Sequence, residues 1–185
     1  MSGKRAAVFL DRDGTINVPP RKRYVTRWEE FRFLPGTLEA LQRLSRAGWL
    51  LVVVSNQSGV ERGLLSRPAL REITRRMLGA IRRSGGRVQA VYYCTHHPDR
   101  GCPCRKPRAG MLRRANRRFS IDLKRSFMVG DSERDVRMAK AAGCRPLLVL
   151  TGHHTRGSAR RLSAAPERIF RDLGQAARWI LRRTQ

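Results

Sequence analysis

Acidic side chains are scarce: 14 Asp and Glu face 40 Lys and Arg in a chain of 185 residues, a formal charge of +26. That balance excludes an acidic tail. Long hydrophobic runs are missing as well. The longest, Trp49 to Val54, is far short of the ~20 apolar residues a membrane-spanning helix needs. The opening Met-Ser-Gly-Lys-Arg is followed by only five apolar residues before Asp11, too few for the apolar core of an export signal, so a cytoplasmic protein is expected. No Walker-type Gly-rich loop occurs, which removes a nucleotide cradle of that kind, and no internal repeat is visible. Aromatics number 12, too few to suggest a groove of stacked bases. Lysine is rare too, leaving 35 of the 40 cations as arginine.

The positive charge has no separate arm. Residues 1–92 carry 18 basic and 7 acidic side chains, and residues 93–185 carry 22 and 7. So even a spread reads as arginine on solvated helix faces, with nucleic acid held only by weak electrostatic attraction. Length and an apolar content of 41% point to one globular domain, residues 1–185, expected as a monomer.

Five short apolar runs each end in polar residues: Ala6–Leu10 before Asp11, Leu50–Val54 before Ser55, Val88–Tyr93 before Cys94, Phe127–Val129 before Gly130-Asp131, and Pro146–Leu150 before Thr151-Gly152. Between them lie residues at helical spacing: Leu38, Leu41, Leu44; then Leu70, Ile73, Met77, Ile81; then Val136 and Ala139 ahead of Gly143 as a stop. Leu173, Ala176, Ala177, Ile180 and Leu181 make a closing amphipathic helix, and 152–166 reads as a loop. Continuous apolar strands alternating with helices predict an α/β fold, a Rossmann-like parallel sheet with helices on both faces. Ligands of such sheets lie beyond the carboxyl ends of the strands, the edge that every polar cluster named here would occupy.

Three constellations at that edge carry chemistry. Asp11 and Asp13 flank Arg12 just after a strand, and two close carboxylates raise one another's pKa unless a cation or a shared proton lies between them. A turn capped by aspartate explains one of them, not both. Asp131 and Asp135 follow another strand. Cys94, His96, Cys102 and Cys104 give four soft ligands in one short loop, suited to a closed tetrahedral zinc site, whereas a disulfide is the poorer reading without an export signal. His97 is expected as a bystander and Cys144 as core.

These residues carry a resemblance. Phe9-Leu-Asp-Arg-Asp-Gly-Thr-Ile-Asn17, Val53-Val-Ser-Asn-Gln-Ser-Gly59, Tyr92-Tyr-Cys-Thr-His-His-Pro98, Cys104-Arg-Lys-Pro107, Gly110-Met111 and Met128-Val-Gly-Asp131, in that order, resemble the haloacid dehalogenase superfamily of phosphatases, most closely its histidinol-phosphatase and heptose-bisphosphate phosphatase group. The resemblance spans residues 6–152. It implies Asp11 as a nucleophile forming an aspartyl-phosphate, Asp13 as acid and base, and Mg²⁺ on Asp11, the Asp13 main-chain carbonyl and Asp131. Ser55 and Lys106 would contact the transferring phosphoryl group, Asp135 would position Lys106 or a metal-bound water rather than bind the ion, and Arg12, Asn56, Gln57, Ser58 and Arg105 would meet the substrate. It also implies structural Zn²⁺ in the cysteine loop, ordering Arg105 and Lys106. The implied substrate is a small phosphorylated metabolite, a sugar bisphosphate ahead of histidinol phosphate; a polynucleotide 3′-phosphatase on the same fold is the reading that uses the charge. Between Asp13 and Ser55 there is room for a flap but no large cap domain. Arg21, Lys22 and Arg23, in a loop longer than usual for that group, are expected at the entrance.

Overall fold

In the computed structural model, which describes residues 4–20, 24–152, 154–159 and 161–183, six strands form one sheet. They are β1 (Ala7–Leu10), β2 (Leu50–Asn56), β3 (Val88–Cys94), β4 (Phe127–Gly130), β5 (Arg145–Val149) and β6 (Arg168–Phe170). Their order is β3-β2-β1-β4-β5-β6, and every neighbouring pair is parallel. The apolar strand runs explain this. Both faces of a parallel sheet are covered, so alternation gives way to continuous Val, Leu and Phe.

The two-residue period of each strand divides those side chains between two cores. Val8, Leu10, Leu51, Val53 and Val129 pack on one face against α1 (Thr37–Arg46), α2 (Arg67–Arg83) and α6 (Leu173–Arg182). Ala7, Phe9, Val52, Val54 and Met128 pack on the other against α3 (Gly110–Phe119) and α4 (Glu133–Ala142). Phe9, opposite Val52 on one side and Met128 on the other, is wholly buried, a contribution of about 1.5–3 kcal/mol by transfer scales. α2 begins where Ser66 Oγ accepts a hydrogen bond from Ala69 N at 3.1 Å, with a proline in the first turn, and α4 ends at Gly143 as the spacing predicts.

Three elements escape the sequence reading. α3 carries only Met111, Leu112 and Ala115 as buried residues among four arginines, too sparse a stripe to register as a helix. β6 is three residues long and pairs at the edge with β5. The stretch 152–166, expected as loop, contains a one-turn helix, α5 (Arg156–Ala159).

The chain order reverses between β1 and β4, because β1 leads outward to β2 and β3 on one side while β4 leads to β5 and β6 on the other. A crevice opens at such a reversal, beyond the carboxyl ends of the two central strands. Asp11 leaves β1 there and Asp131 leaves β4.

Candidate active site

The buried centre of the crevice is an ion cluster. Lys106 Nζ lies 2.8 Å from Asp11 Oδ1 and 2.7 Å from Asp135 Oδ1, with only 3% of the lysine side chain exposed. Burial pushes the Asp11 carboxyl up to about 6; Lys106 opposes that and the Asp135 charge adds to it. Burial would lower the Lys106 ammonium, yet Asp11 and Asp135 outweigh it and hold it above its ordinary value. Asp135 is fixed in turn: its Oδ2 accepts from Ser132 N at 3.1 Å and from Ser132 Oγ at 2.5 Å, a reciprocal cap on the first turn of α4. Asn56, at the end of β2, clips the lysine backbone from both sides. Its Nδ2 donates to Lys106 O at 3.3 Å, and its Oδ1 accepts from Lys106 N at 3.1 Å.

Asp13 has a different environment. Arg12 Nε and Nη2 donate to its carboxylate at 2.9–3.1 Å, Asn17 Nδ2 donates at 2.9 Å and Gln57 Nε2 at 2.8 Å. Burial would raise this carboxyl, but Arg12 and those hydrogen bonds outweigh it and hold Asp13 below the usual carboxylate range. Two expectations need correction here. Arg12 is fully buried, its guanidinium 5.8 Å from the Tyr93 ring, and Gln57 is fully buried with its amide between Asp13 and Ser55. Neither lines the cleft. Arg12 points inward because a free guanidinium has no place under the sheet edge except against a carboxylate, and Asp13 is that partner. Asn17 is a member the sequence reading quoted but assigned no task; an amide four residues after an aspartate, at the end of a tight turn, was the available signal.

Asp131 is enclosed by backbone. A Cβ built on Gly152 would sit 1.7 Å from Asp131 Oδ2, and one on Gly14 would sit 2.4 Å away, where φ is also +80°. Both positions exclude any side chain while that carboxylate stays in place. Gly152→Ala is therefore expected to displace Asp131 and lower kcat by about 10²-fold, the scale of a 1 Å misplacement of a reacting group. Steady-state kinetics with circular dichroism as fold control checks this, and an active Gly152→Ala protein would refute it. One carboxylate oxygen from each of Asp11, Asp131 and Asp135 lies within 4.8 Å of the other two. Asp135 is committed to Lys106 and Ser132. Asp11 and Asp131 line the cleft, and Asp135 does not, so these two could offer hard oxygen donors to a divalent cation there.

The cysteine loop follows β3. Cys94 Sγ lies 3.5 Å from Cys102 Sγ and 3.9 Å from His96 Nδ1, while Cys104 Sγ lies 3.4 Å from Cys102 Sγ and 3.2 Å from His96 Nδ1. Sulfurs this far apart are not disulfide-bonded, and all four cysteines are free. The spacing is close to the ~3.8 Å edge of a tetrahedron with Zn–S bonds of ~2.3 Å. Burial pushes the Cys94 thiol up to about 12, whereas hydrogen bonds from Cys104, Cys94 and His96 outweigh burial and bring Cys102 down to about 7. The four donors fit a soft cation that would carry their charge. His97 stays outside the cluster, its N–H donating to Glu61. Cys144 is core, donating to Ser126 O at 3.1 Å.

Above these groups lies a cleft of about 830 Å³. Asp11, Asp13, Ser55, Asn56, Ser58, Arg105, Lys106 and Asp131 line it, so the structure brings together all the expected site residues there except Arg12, Gln57, Asp135 and three of the cysteine-loop ligands. Tyr24, Arg62 and Arg134 line it as well, and these the sequence reading did not single out. Tyr24 joins the flap to the site: its hydroxyl is 3.0 Å from Ser58 Oγ. Arg21, Lys22 and Arg23, expected at the entrance, lie outside the described residues.

A family model for HAD-hydrolase-like proteins matches residues 103–176. The D-glycero-beta-D-manno-heptose-1,7-bisphosphate 7-phosphatase of Pseudomonas aeruginosa is 39% identical over 96% of this chain and 98% of its own length. The enzyme of that name from Bordetella bronchiseptica is 41% identical over 94% and 97%. A crystal structure of D,D-heptose 1,7-bisphosphate phosphatase from B. bronchiseptica, complexed with magnesium and phosphate, superposes with a TM-score of 0.89 over 96% of this chain and 99% of that one, at 40% identity. The chain belongs to the haloacid dehalogenase-like hydrolases, in the heptose-bisphosphate phosphatase group. Within this family the crevice reads as a site for a phosphate ester. Lys106 as a cation, Ser55 and Ser58 with their hydroxyls, and the carboxylates of Asp11 and Asp131, which could hold a metal cation, all line one open space.

Proposed function

We propose that this chain is a magnesium-dependent phosphatase that removes the 7-phosphate from D-glycero-D-manno-heptose 1,7-bisphosphate. The observation that carries this reading is the juxtaposition of Asp11 with Lys106 and Asp131 at the floor of the cleft, in a chain of the heptose-bisphosphate phosphatase group. Asp11, exposed just enough to reach the cleft, attacks phosphorus in line; its carboxylate oxygen forms the new P–O bond as the sugar oxygen leaves with the old one. Asp13 relays to that oxygen a proton brought in by the substrate's phosphate monoanion, then takes one from the water that hydrolyses the aspartyl-phosphate to inorganic phosphate. The Arg12 pair holds Asp13 ionised at rest, the form needed for the second step, and fixes where its carboxylate points.

Lys106 and Ser55 hold the equatorial phosphoryl oxygens, and Asp135 keeps Lys106 charged and aimed. Asp11, Asp131 and the Asp13 main-chain carbonyl are the groups that would hold Mg²⁺, which when bound offsets the negative charge of nucleophile and phosphate. Cys94, His96, Cys102 and Cys104 would hold Zn²⁺ in a closed structural site.

Phosphate release from a panel of heptose 1,7-bisphosphate, histidinol phosphate and 3′-phosphorylated DNA tests the reading. The bisphosphate is expected to give the highest kcat/KM. Faster turnover of histidinol phosphate would move the assignment within the family, and salt-resistant action on DNA would replace it.

A further inference from the structure

In a parallel sheet with helical crossovers, every segment that leaves a strand for a helix lies at the carboxyl edge, and every segment that returns from a helix to a strand lies at the opposite, amino edge. That rule sorts the charges of this chain. Of the 14 acids, all but Asp122 and Glu167 follow a strand or stand in the first two turns of a helix, on the side of the cleft. The cations are not drawn the same way. Arg5, Arg87, Arg125, Arg145 and Arg168 stand at the start of a strand or just before it. Arg46, Arg83, Arg118, Lys140 and Arg182 stand in the last turns of α1, α2, α3, α4 and α6. All ten are exposed except Arg145, which is half-buried. A cation at a helix C-terminus answers the helix dipole, but the strand-leading arginines answer none. Charge that is even along the sequence is therefore divided across the fold.

Little at the amino edge neutralises these cations. Asp122 serves the backbone, its Oδ1 accepting from Arg125 N at 3.2 Å. Glu167 accepts from Arg145 Nε at 2.8 Å, the one ion pair of this edge among the described residues. Around it the Trp179 ring holds three guanidiniums, those of Arg145, Arg168 and Arg183, at 5.7, 5.6 and 4.5 Å from its centroid. On the cleft side, by contrast, Arg12, Arg100, Lys106, Arg137 and Arg171 each have a carboxylate partner. The basic face also has extent in two directions. Arg87 at β3 and Arg168 at β6 are five strand spacings apart, about 24 Å at ~4.8 Å each, and the helix ends add cations on both faces of the sheet. The large apolar residues exposed among the described ones, Val18 and Leu64, both follow strands on the cleft side.

We propose that the amino edge of the sheet docks on an anionic lipid bilayer, held by charge without insertion, with the cleft on the far side turned to solvent. A guanidinium presents paired N–H donors that match two oxygens of one phosphate, so an arginine face suits a surface of phosphate headgroups. The absence of an exposed apolar side chain at this edge leaves electrostatic attraction as the means of attachment, as in polybasic segments at the cytoplasmic leaflet. The planar spread of the cations favours a bilayer over nucleic acid: a duplex is a cylinder and meets such a face along one strip. A single strand needs free aromatic faces to stack on, and Trp179 is already occupied by arginines. The proposal stands whichever ester the cleft hydrolyses.

The test is co-sedimentation with vesicles of phosphatidylcholine containing one-third phosphatidylglycerol, against vesicles of phosphatidylcholine alone, at about 0.1 M salt, where exposed charges more than ~10 Å apart are largely screened. Binding is expected to the first and not to the second. Combining Arg87→Glu, Arg125→Glu and Arg168→Glu should weaken it by about 10²-fold or more, at roughly five-fold for each basic residue near an anionic leaflet. A control combining Arg67→Glu, Arg71→Glu and Arg113→Glu has the same net charge but alters exposed residues in the first two turns of α2 and α3, and should lose less than about five-fold. Thermal melting confirms that both variants fold. Should the first not fold, Arg87→Gln with Arg168→Gln is read in its place, with an expected loss of about 20-fold. No binding of the unaltered protein to the anionic vesicles overturns the proposal. Equal losses in the two triple variants overturn it as well, leaving only the charge of the whole molecule. Mixed-sequence duplex DNA that displaces the vesicles at equal phosphate concentration, and is itself released by the amino-edge substitutions, overturns the lipid partner in favour of nucleic acid.

Discussion

Replacing Asp11 by Asn is expected to abolish phosphate release, by about 10⁴-fold or more as for loss of an enzymic nucleophile, while leaving the protein folded and more stable at neutral pH. The stability half follows from the same geometry. Asn keeps an Oδ1 to accept from Lys106, whose ammonium retains Asp135 at 2.7 Å. What it removes is a carboxylate whose ionisation the fold disfavours: burial pushes it up to about 6 from an ordinary 3.8. The sign is that of a carboxyl raised on folding. Above about 6 the group is charged in both states and its penalty is fully present; below about 4 it is neutral in both and the penalty is gone. The melting-temperature advantage of Asp11→Asn should therefore be largest at pH 7 in magnesium-free buffer and shrink as pH falls from 6 to 4. A folded Asp11→Asn protein with full activity would sink the nucleophile assignment. An advantage that grows on acidification would contradict the burial argument. Residues selected for reactivity commonly cost stability in this way.

How far the sequence foretold this site depends on what each residue was doing. Asp11, Asp13 and Asp131 stand directly after apolar strands, and a parallel sheet places strand ends together, so their convergence follows from pattern alone. The cysteine loop was legible because ligand spacing is a local property. Arg12 and Gln57 were not: the motif that contains them faces the substrate as a whole, and only packing reveals that Arg12 turns inward onto Asp13 and that the Gln57 amide follows it. Asn56 was expected toward the substrate and does line the cleft, yet its amide is engaged on the Lys106 backbone, a contact across 50 residues of sequence that no periodicity encodes. Arg62 was invisible for the opposite reason. Among 35 arginines, one whose neighbouring acid is committed elsewhere looks like the rest until the partners are seen. In the fold, α3 was hidden by the same excess, since four arginines interrupt its apolar stripe.

The cysteine loop offers the second large effect. Between Cys94 and Gly110 few backbone hydrogen bonds hold the chain: Arg100 N to His97 O, Arg108 N to Arg105 O and Gly110 N to Pro103 O. Cys102 and Cys104 are only partly buried against the core, so apolar packing does little to fix the loop. Yet it must deliver Lys106, two residues beyond Cys104, to within 2.8 Å of Asp11. Zinc in a closed four-ligand site would supply the missing order, because in such small loops metal-binding free energy is folding free energy. Elemental analysis is expected to find about one zinc per chain. Cys102→Ser should lose that zinc, lower the melting temperature by roughly 10 °C if the loss is on the order of 4 kcal/mol, and reduce kcat/KM by about 10²-fold as Lys106 loses its position. Cys144→Ser, at the buried thiol outside the cluster, serves as control and should keep its zinc. Acidification should release the metal, since protons compete for the thiolates and for His96. If protein stripped of zinc keeps the full activity of the intact enzyme, the loop orders Lys106 without metal, and the Asn56 clip, the Glu61 contacts and the loop's few backbone hydrogen bonds suffice to hold it.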